Sequence, residues 1–301
     1  LTGPVAVTGG DWGTYKQPKI GSLHLDAGRH RITLKSGGAI NGALMDLRTV
    51  ALAPSGTKPK WPKGEATAAP GINEMTTNPP AIARLILDPN RTDAARTAAI
   101  KANPQFAGDI IAELTKDLPA AAPEEYKRIP WIWRAAIDCG KRNEPGQVKH
   151  VLDVSLPKTD QPLRDWQAVV IGGGLINGLS QLNLWPSDRI SEIIGDDADL
   201  KSRWQRALDL ASAIADDEKV PNGTRYDALR MLGAQPWSKR GAQLSKYLAK
   251  ETNAELQMGA VSALVDVKGP EATKALEESL PNLTEKNREL ARMRKAKAAT
   301  P

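Results

Sequence analysis

The feature that most constrains this chain is a degenerate internal repeat with a period in the low thirties. Trp133-Arg134-Ala135-Ala136-Ile137-Asp138-Cys139-Gly140 lies 33 residues before Trp166-Gln167-Ala168-Val169-Val170-Ile171-Gly172-Gly173, and the two share Trp, Ala and Gly in register. Arg225-Tyr226-Asp227-Ala228-Leu229-Arg230-Met231-Leu232 precedes Gln257-Met258-Gly259-Ala260-Val261-Ser262-Ala263-Leu264 by 32, sharing Ala and Leu. A looser match at 37 sets Ala98-Ala99-Ile100 beside Ala135-Ala136-Ile137. Such a period is the length of a helix pair, whose apolar stripe is buried only when neighbouring pairs stack on it. The variable spacing, and the lack of ankyrin or tetratricopeptide signature residues, fit degenerate HEAT-like, armadillo-like units, with an irregular helical domain as the remaining alternative.

Local signals agree with a helical reading beyond residue 78. Pro80-Ala81 opens Ile82–Leu87, Asp93 is placed to cap Ala94–Ala102, and Pro104 starts a helix over Phe106–Leu118. Asp196-Asp197-Ala198-Asp199 resembles a calcium loop only superficially, lacking the Gly and terminal Glu of an EF-hand. It serves better to begin a helix near Leu200, where carboxylates suit the positive end of the dipole.

The first 55 residues read differently. Ile20–Leu25 and Arg29–Lys35 flank Asp26-Ala27-Gly28, and Leu44–Leu52 alternates apolar with polar residues, which predicts antiparallel strands with one buried face. These strands are too few for a sandwich, so the missing ones are expected upstream in a longer parent. Pro54, Pro59, Pro62 and Pro70 stand among Gly, Ser, Thr and Lys with no apolar period, marking a linker. The expected fold is therefore mainly α. It comprises a partial β-sandwich segment at 1–55, a Pro-rich linker at 56–78, and a HEAT-like helical repeat domain at 79–299.

Three stretches carry a resemblance: Ile129-Pro130-Trp131-Ile132-Trp133-Arg134-Ala135-Ala136, Pro162–Gly178 and Gly223–Gly233. Together they resemble the HEAT-repeat region of large exported proteins of planctomycete-type bacteria. The segment Ile20–Leu34, with Gly42–Arg48, is similar to the last strands of a galactose-binding, carbohydrate-binding-like jelly roll. The resemblance implies an exported, periplasmic or cell-surface location, although Leu1-Thr2-Gly3-Pro4 offers no signal peptide and the chain reads as a fragment or processed piece. It also implies protein partners or neighbouring domains of the parent, and a polysaccharide as a further partner. In that family the region can adjoin a sugar-dehydrogenase-like propeller or a c-type haem domain, so the alternative is an accessory part of such an enzyme. Haem attachment here is excluded by the single cysteine, Cys139, because it needs Cys-x-x-Cys-His.

Chemistry-bearing motifs are sparse. Gly172-Gly173-Gly174 follows Val169-Val170-Ile171, but Asn177 stands where a dinucleotide fingerprint needs Gly or Ala. Close helix packing or a kink is the better role for these glycines. No H-E-x-x-H, G-x-S-x-G or Cys/His pairing occurs, so no catalytic, cofactor or metal residues are expected. His24, His30 and His150 read as solvated or locally bonded.

Burying one Trp is worth at most about 4–6 kcal/mol, from about 150–250 Å² at about 25 cal/mol/Å². Trp133 and Trp166, at equivalent repeat positions, are thus expected in the core. Trp131, two residues away, is expected to face elsewhere and joins Arg164 and Asn177 as candidate solenoid surface. Trp12 and Tyr15, in a Gly-rich context, are the candidate carbohydrate contacts. The net charge is +6, but Lys286, Arg288, Arg292, Arg294, Lys295 and Lys297 against Glu285 and Glu289 place most of it at the C-terminus. That pattern disfavours nucleic acid and suits a solvated helix end. No apolar run is long enough to span a bilayer.

Overall fold

A computed structural model of the chain describes residues 19–26, 50–59, 78–118, 122–158 and 160–298. The backbone divides into two compact units, Leu1–Glu74 and Met75–Pro301. In the first, the described stretches carry no strand, and Ile20, Leu23 and Leu25 are exposed. The strand expected at Ile20–Leu25 is not seen at those residues, and its expected partner at Arg29–Lys35 lies outside the described residues. A turn closes at Pro54–Thr57, with the Thr57 N–H donating to the Pro54 carbonyl at 3.0 Å. The remaining expected strands, and most of the linker, lie outside the described residues.

The second unit is helical, with thirteen α-helices among the described residues. They are α1 Pro79–Leu87, α2 Asp93–Ala102, α3 Ala107–Thr115, α4 Ala122–Arg142, α5 Pro145–Ser155, α6 Gly172–Ser180 and α7 Pro186–Ile194. Then follow α8 Ala198–Asp216, α9 Asn222–Leu232, α10 Trp237–Ser245, α11 Ala254–Asp266, α12 Pro270–Ser279 and α13 Glu285–Ala298.

Their starts follow from local chemistry. Asn78 caps α1 before Pro79-Pro80, and prolines also open α5, α7 and α12, where a missing N–H costs nothing. The Asp197 carboxylate accepts the Leu200 N–H at 3.0 Å and begins α8, as the Asp196–Asp199 run predicts. The cap of α2 is Thr92 rather than Asp93: the Thr92 hydroxyl accepts the Ala95 N–H at 3.2 Å. Asp93 falls instead in the first turn, free to face Arg134.

Packing is dominated by helices close in sequence. One succession runs α4 on α6, α6 on α9, α9 on α11 and α11 on α13; another runs α1 on α3 and α3 on α5. The repeated segments fall on α2, α4, α6 with its lead-in, α9 and α11, and α2 also packs on α4. The alanines shared by the two closer repeats meet the core alike, Ala135 with Ala168 and Ala228 with Ala260 all being buried. Small side chains there let backbones approach closely, which the α4–α6 crossing carries furthest. A methyl group on Gly178 would lie 2.4 Å from the Ile137 carbonyl oxygen, and one on Gly140 2.4 Å from that of Leu175.

Candidate functional site

Just before α6 the helical backbone widens into a six-residue π segment, Trp166–Ile171. Such i→i+5 turns are rare and tend to occur where packing or function needs a local shift of the helix face. Trp166, Ala168, Val169, Val170 and Ile171 are all buried, so this segment is wedged into the core. It delivers the three glycines to the meeting point of α4, α6 and α9. A Cβ on Gly172 would meet the Met231 thioether at 2.8 Å, one on Gly173 would sit 3.0–3.1 Å from Asp227, and one on Gly174 would lie 2.8 Å from the Ala136 methyl.

Beside Gly173, two polar groups meet across the seam. The Trp133 indole N–H on α4 donates to Asp227 Oδ1 on α9 at 3.1 Å, joining residues 94 apart in sequence. Burial pushes the Asp227 carboxyl well above the usual carboxylate range. The Trp133 N–H and the nearby Arg230 pull it down, and Glu255 adds like-charge repulsion. Asp227 is thus held as a neutral acid far above the pH at which a free carboxyl ionises.

One turn along α9, Arg230 is committed elsewhere. Its Nη2 donates to Asp266 Oδ2 at 2.9 Å, and the Ser180 hydroxyl donates to Asp266 Oδ1 at 2.7 Å. This ion pair is buried on both sides and ties α6, α9 and α11 together. A buried pair is weak evidence for added stability, but leaving either member alone would be costly. The residues Asp227, Arg230 and Asp266 escaped the sequence reading. Asp266 alone left a visible trace, as a lone charge inside Val261–Val267.

A second polar system runs from α1 to α9. Arginines on later helices donate to the C-terminal carbonyls of earlier ones, which lack partners within their own helix. Arg96 reaches the Ile86 carbonyl of α1, and Arg142 the Lys101 carbonyl of α2 at 2.6 Å. Arg128 meets the Lys116 carbonyl after α3 at 2.9 Å, and Arg189 the Asn143 carbonyl after α4 at 3.4 Å. Arg203 bridges the Asp153 and Leu156 carbonyls of α5 at 3.0 and 2.6 Å, and Arg225 reaches the Ala215 carbonyl of α8 at 3.0 Å. A guanidinium suits the negative end of a helix dipole and can serve two acceptors at once. These arginines therefore hold one helix against another, which accounts for part of the basic charge without an anionic ligand.

The sequence candidates are distributed as follows. Trp12 and Tyr15 lie outside the described residues, as does His30. Trp131, expected at the surface, is only 4% exposed. The correction has a clear cause: Arg96 and Arg134 stack on its ring, with guanidinium carbons 3.7 and 4.5 Å from the centroid. Arg134 is in turn held by Asp93 at 3.3 Å. Trp166 is buried and Trp133 partly so, both packed with the core. Arg164 is exposed, yet one guanidinium nitrogen donates to the Leu118 carbonyl. Asn177 is half-buried and accepts from Gln181 at 3.0 Å. The structure does not bring Trp131, Arg164 and Asn177 into one cluster of contacts.

His24 is exposed 3.5 Å from Asp26, and His150 lies 3.0 Å from Asp109 against Gly108. Cys139 is buried, and that burial, with Asp138 nearby, pushes its thiol up to about 12, which keeps it un-ionised and unreactive. Among the described residues, no group of three or more His, Cys, Asp or Glu could hold a metal ion, and no helix is long and apolar enough to cross a membrane. Comparison with family models, with curated proteins and with solved structures finds no match to this chain.

Proposed function

We propose that residues 79–299 act as a non-catalytic HEAT-like solenoid, a scaffold or protein-binding element of a larger exported protein. The observation that carries this reading is the coincidence of repeat and packing. The internally repeated segments lie on helices that stack as neighbours, α2 on α4, α4 on α6 and α9 on α11. A quasi-linear stack presents extended faces built from successive units, which is how repeat architectures engage proteins. The polar side chains support the same reading. Trp133, Asp227, Arg230, Asp266 and the bridging arginines bond to one another and to helix ends, holding neighbouring helices together.

The test places a photo-reactive amino acid at Asn177 or Leu182, at the end of α6 where Leu182 leaves a large apolar side chain 41% exposed. Lys201 on α8 and Lys274 on α12 serve as comparison positions. A defined protein adduct from the α6 positions in the source cells, absent from the comparison positions, supports a partner-binding stack. Adduct patterns indistinguishable at all four positions would remove the proposal.

A further inference from the structure

We propose that Asp227 is a proton-controlled latch on the seam between α4, α6 and α9. Protonated, it sits dry in the seam beside the Trp133 indole; ionised, its charge draws in water despite that donor, and the π segment and α9 separate.

The geometry sets this up in three ways. First, the carboxyl sits where three helices meet: it accepts the Trp133 indole N–H from α4, and a Cβ on Gly173 of α6 would lie 3.1 Å from its Oδ1. Second, the charged groups around it do not neutralise it. Arg230, on its own helix, is bonded to Asp266, and Glu255 at the start of α11 adds negative charge. Tyr226 is half-buried beside it, its hydroxyl pushed up by desolvation. From α4 the facing group is the Trp133 indole, and Gly172, Gly173 and Gly174 bring no ionisable group from α6. From α8 the buried face is Trp204, Ala207, Leu208 and Ala211, while Arg203 is held by Asp153 and Asp199 and Asp216 by Lys246.

Third, the segment beside the latch has little regular hydrogen bonding to lose. The π turn departs from regular α-helical hydrogen bonding, the three glycines favour helix poorly, and the buried Trp166 indole nitrogen has no hydrogen-bond partner among the described residues. The raised carboxyl supplies the proton linkage. In the closed seam Asp227 keeps its proton, whereas in the opened, hydrated seam it ionises like an ordinary carboxyl. The open population should therefore rise about tenfold per pH unit above about pH 4, until the closed form itself ionises.

The experiment is hydrogen exchange read by mass spectrometry on the full chain across pH, expressed as protection factors so that the intrinsic rise of exchange with pH is removed. Peptides covering 166–180 and 222–232 should lose protection about tenfold per pH unit, while peptides of α1 to α3 should not. Asp227→Asn keeps an acceptor for Trp133 and cannot ionise, so its protection in those peptides should be flat. Trp133→Phe removes a donor that favours the ionised form, so its loss of protection should extend to higher pH than in the wild type. The Trp133→Phe arm stands even if Asp227→Asn fails to fold. Wild-type protection at 166–180 that is flat with pH overturns the latch, as does an Asp227→Asn slope equal to the wild-type one.

Discussion

Trp133 and Asp227 stand 94 residues apart and bind each other: the indole N–H of α4 meets the carboxyl of α9 at 3.1 Å, with Gly173 of α6 packed against Asp227. That contact joins α4 to α9 beside the glycines of α6. In a cycle of Trp133→Phe, Asp227→Ala and the double variant, the coupling energy from chemical denaturation should be about 0.5–1.5 kcal/mol in favour of the pair. Trp133→Phe alone should cost about 1–3 kcal/mol, because it strands a buried acid. Additive single effects would mean the contact contributes nothing.

The α4–α6 crossing should tolerate no methyl group. Gly178→Ala places a carbon 2.4 Å from the Ile137 carbonyl and 2.7 Å from the Lys141 nitrogen, both backbone atoms, and should destabilise by about 1–3 kcal/mol. Gly146→Ala, in the first turn of α5 with open space around it, should instead stabilise by about 0.4–1 kcal/mol through the unfolded chain. Denaturant midpoints of the two variants moving in opposite directions would be the signature.

Arg203 is 2% exposed and holds the end of α5 through the Asp153 and Leu156 carbonyls, with Asp153 and Asp199 as counter-charges. Arg203→Met fills similar volume but leaves those carbonyls without this donor, and should lower stability by about 1–3 kcal/mol. Lys274→Ala, which breaks an exposed pair with Glu278, should leave the midpoint unchanged. Equal effects would contradict the claim that the buried arginines, rather than the surface pairs, hold the helices together.

Cys139 is buried among core residues, and its thiol is pushed up to about 12. At pH 8 it should resist alkylation in the native protein and react only at the rate of unfolding, which a denaturant series of thiol labelling would show. Rapid labelling without denaturant would place it at an accessible site.

Much of the helical unit was legible because its signals are local. Pro80-Ala81, Pro104 and Asp197 mark helix starts within one or two residues, and the Ala and Gly of the repeat sit where backbones must approach. The exceptions are contacts that close over long separations. Thr92 took the cap expected of Asp93, and Asp93 paired with Arg134, 41 residues on. Trp131 was expected outside because it lies two residues from a core Trp. The arginines that cover it come from α2 and from its own helix, and no periodicity of apolar residues reveals a side chain buried under guanidinium groups. Asp227 was hidden for the same reason, since its partner is set by how α4, α6 and α9 stack rather than by its neighbours in sequence.

The most direct measurement of the central claim is a map of lysine cross-links within the full chain. In a stack of neighbouring helices the map should be banded, with links such as those between Lys101 and Lys141 or Lys239 and Lys268 and none joining Lys101 to Lys286, at opposite ends of the helical succession. Abundant intramolecular links between Lys101 and Lys286 would show that the ends of the unit fold back on each other, and would contradict a solenoid.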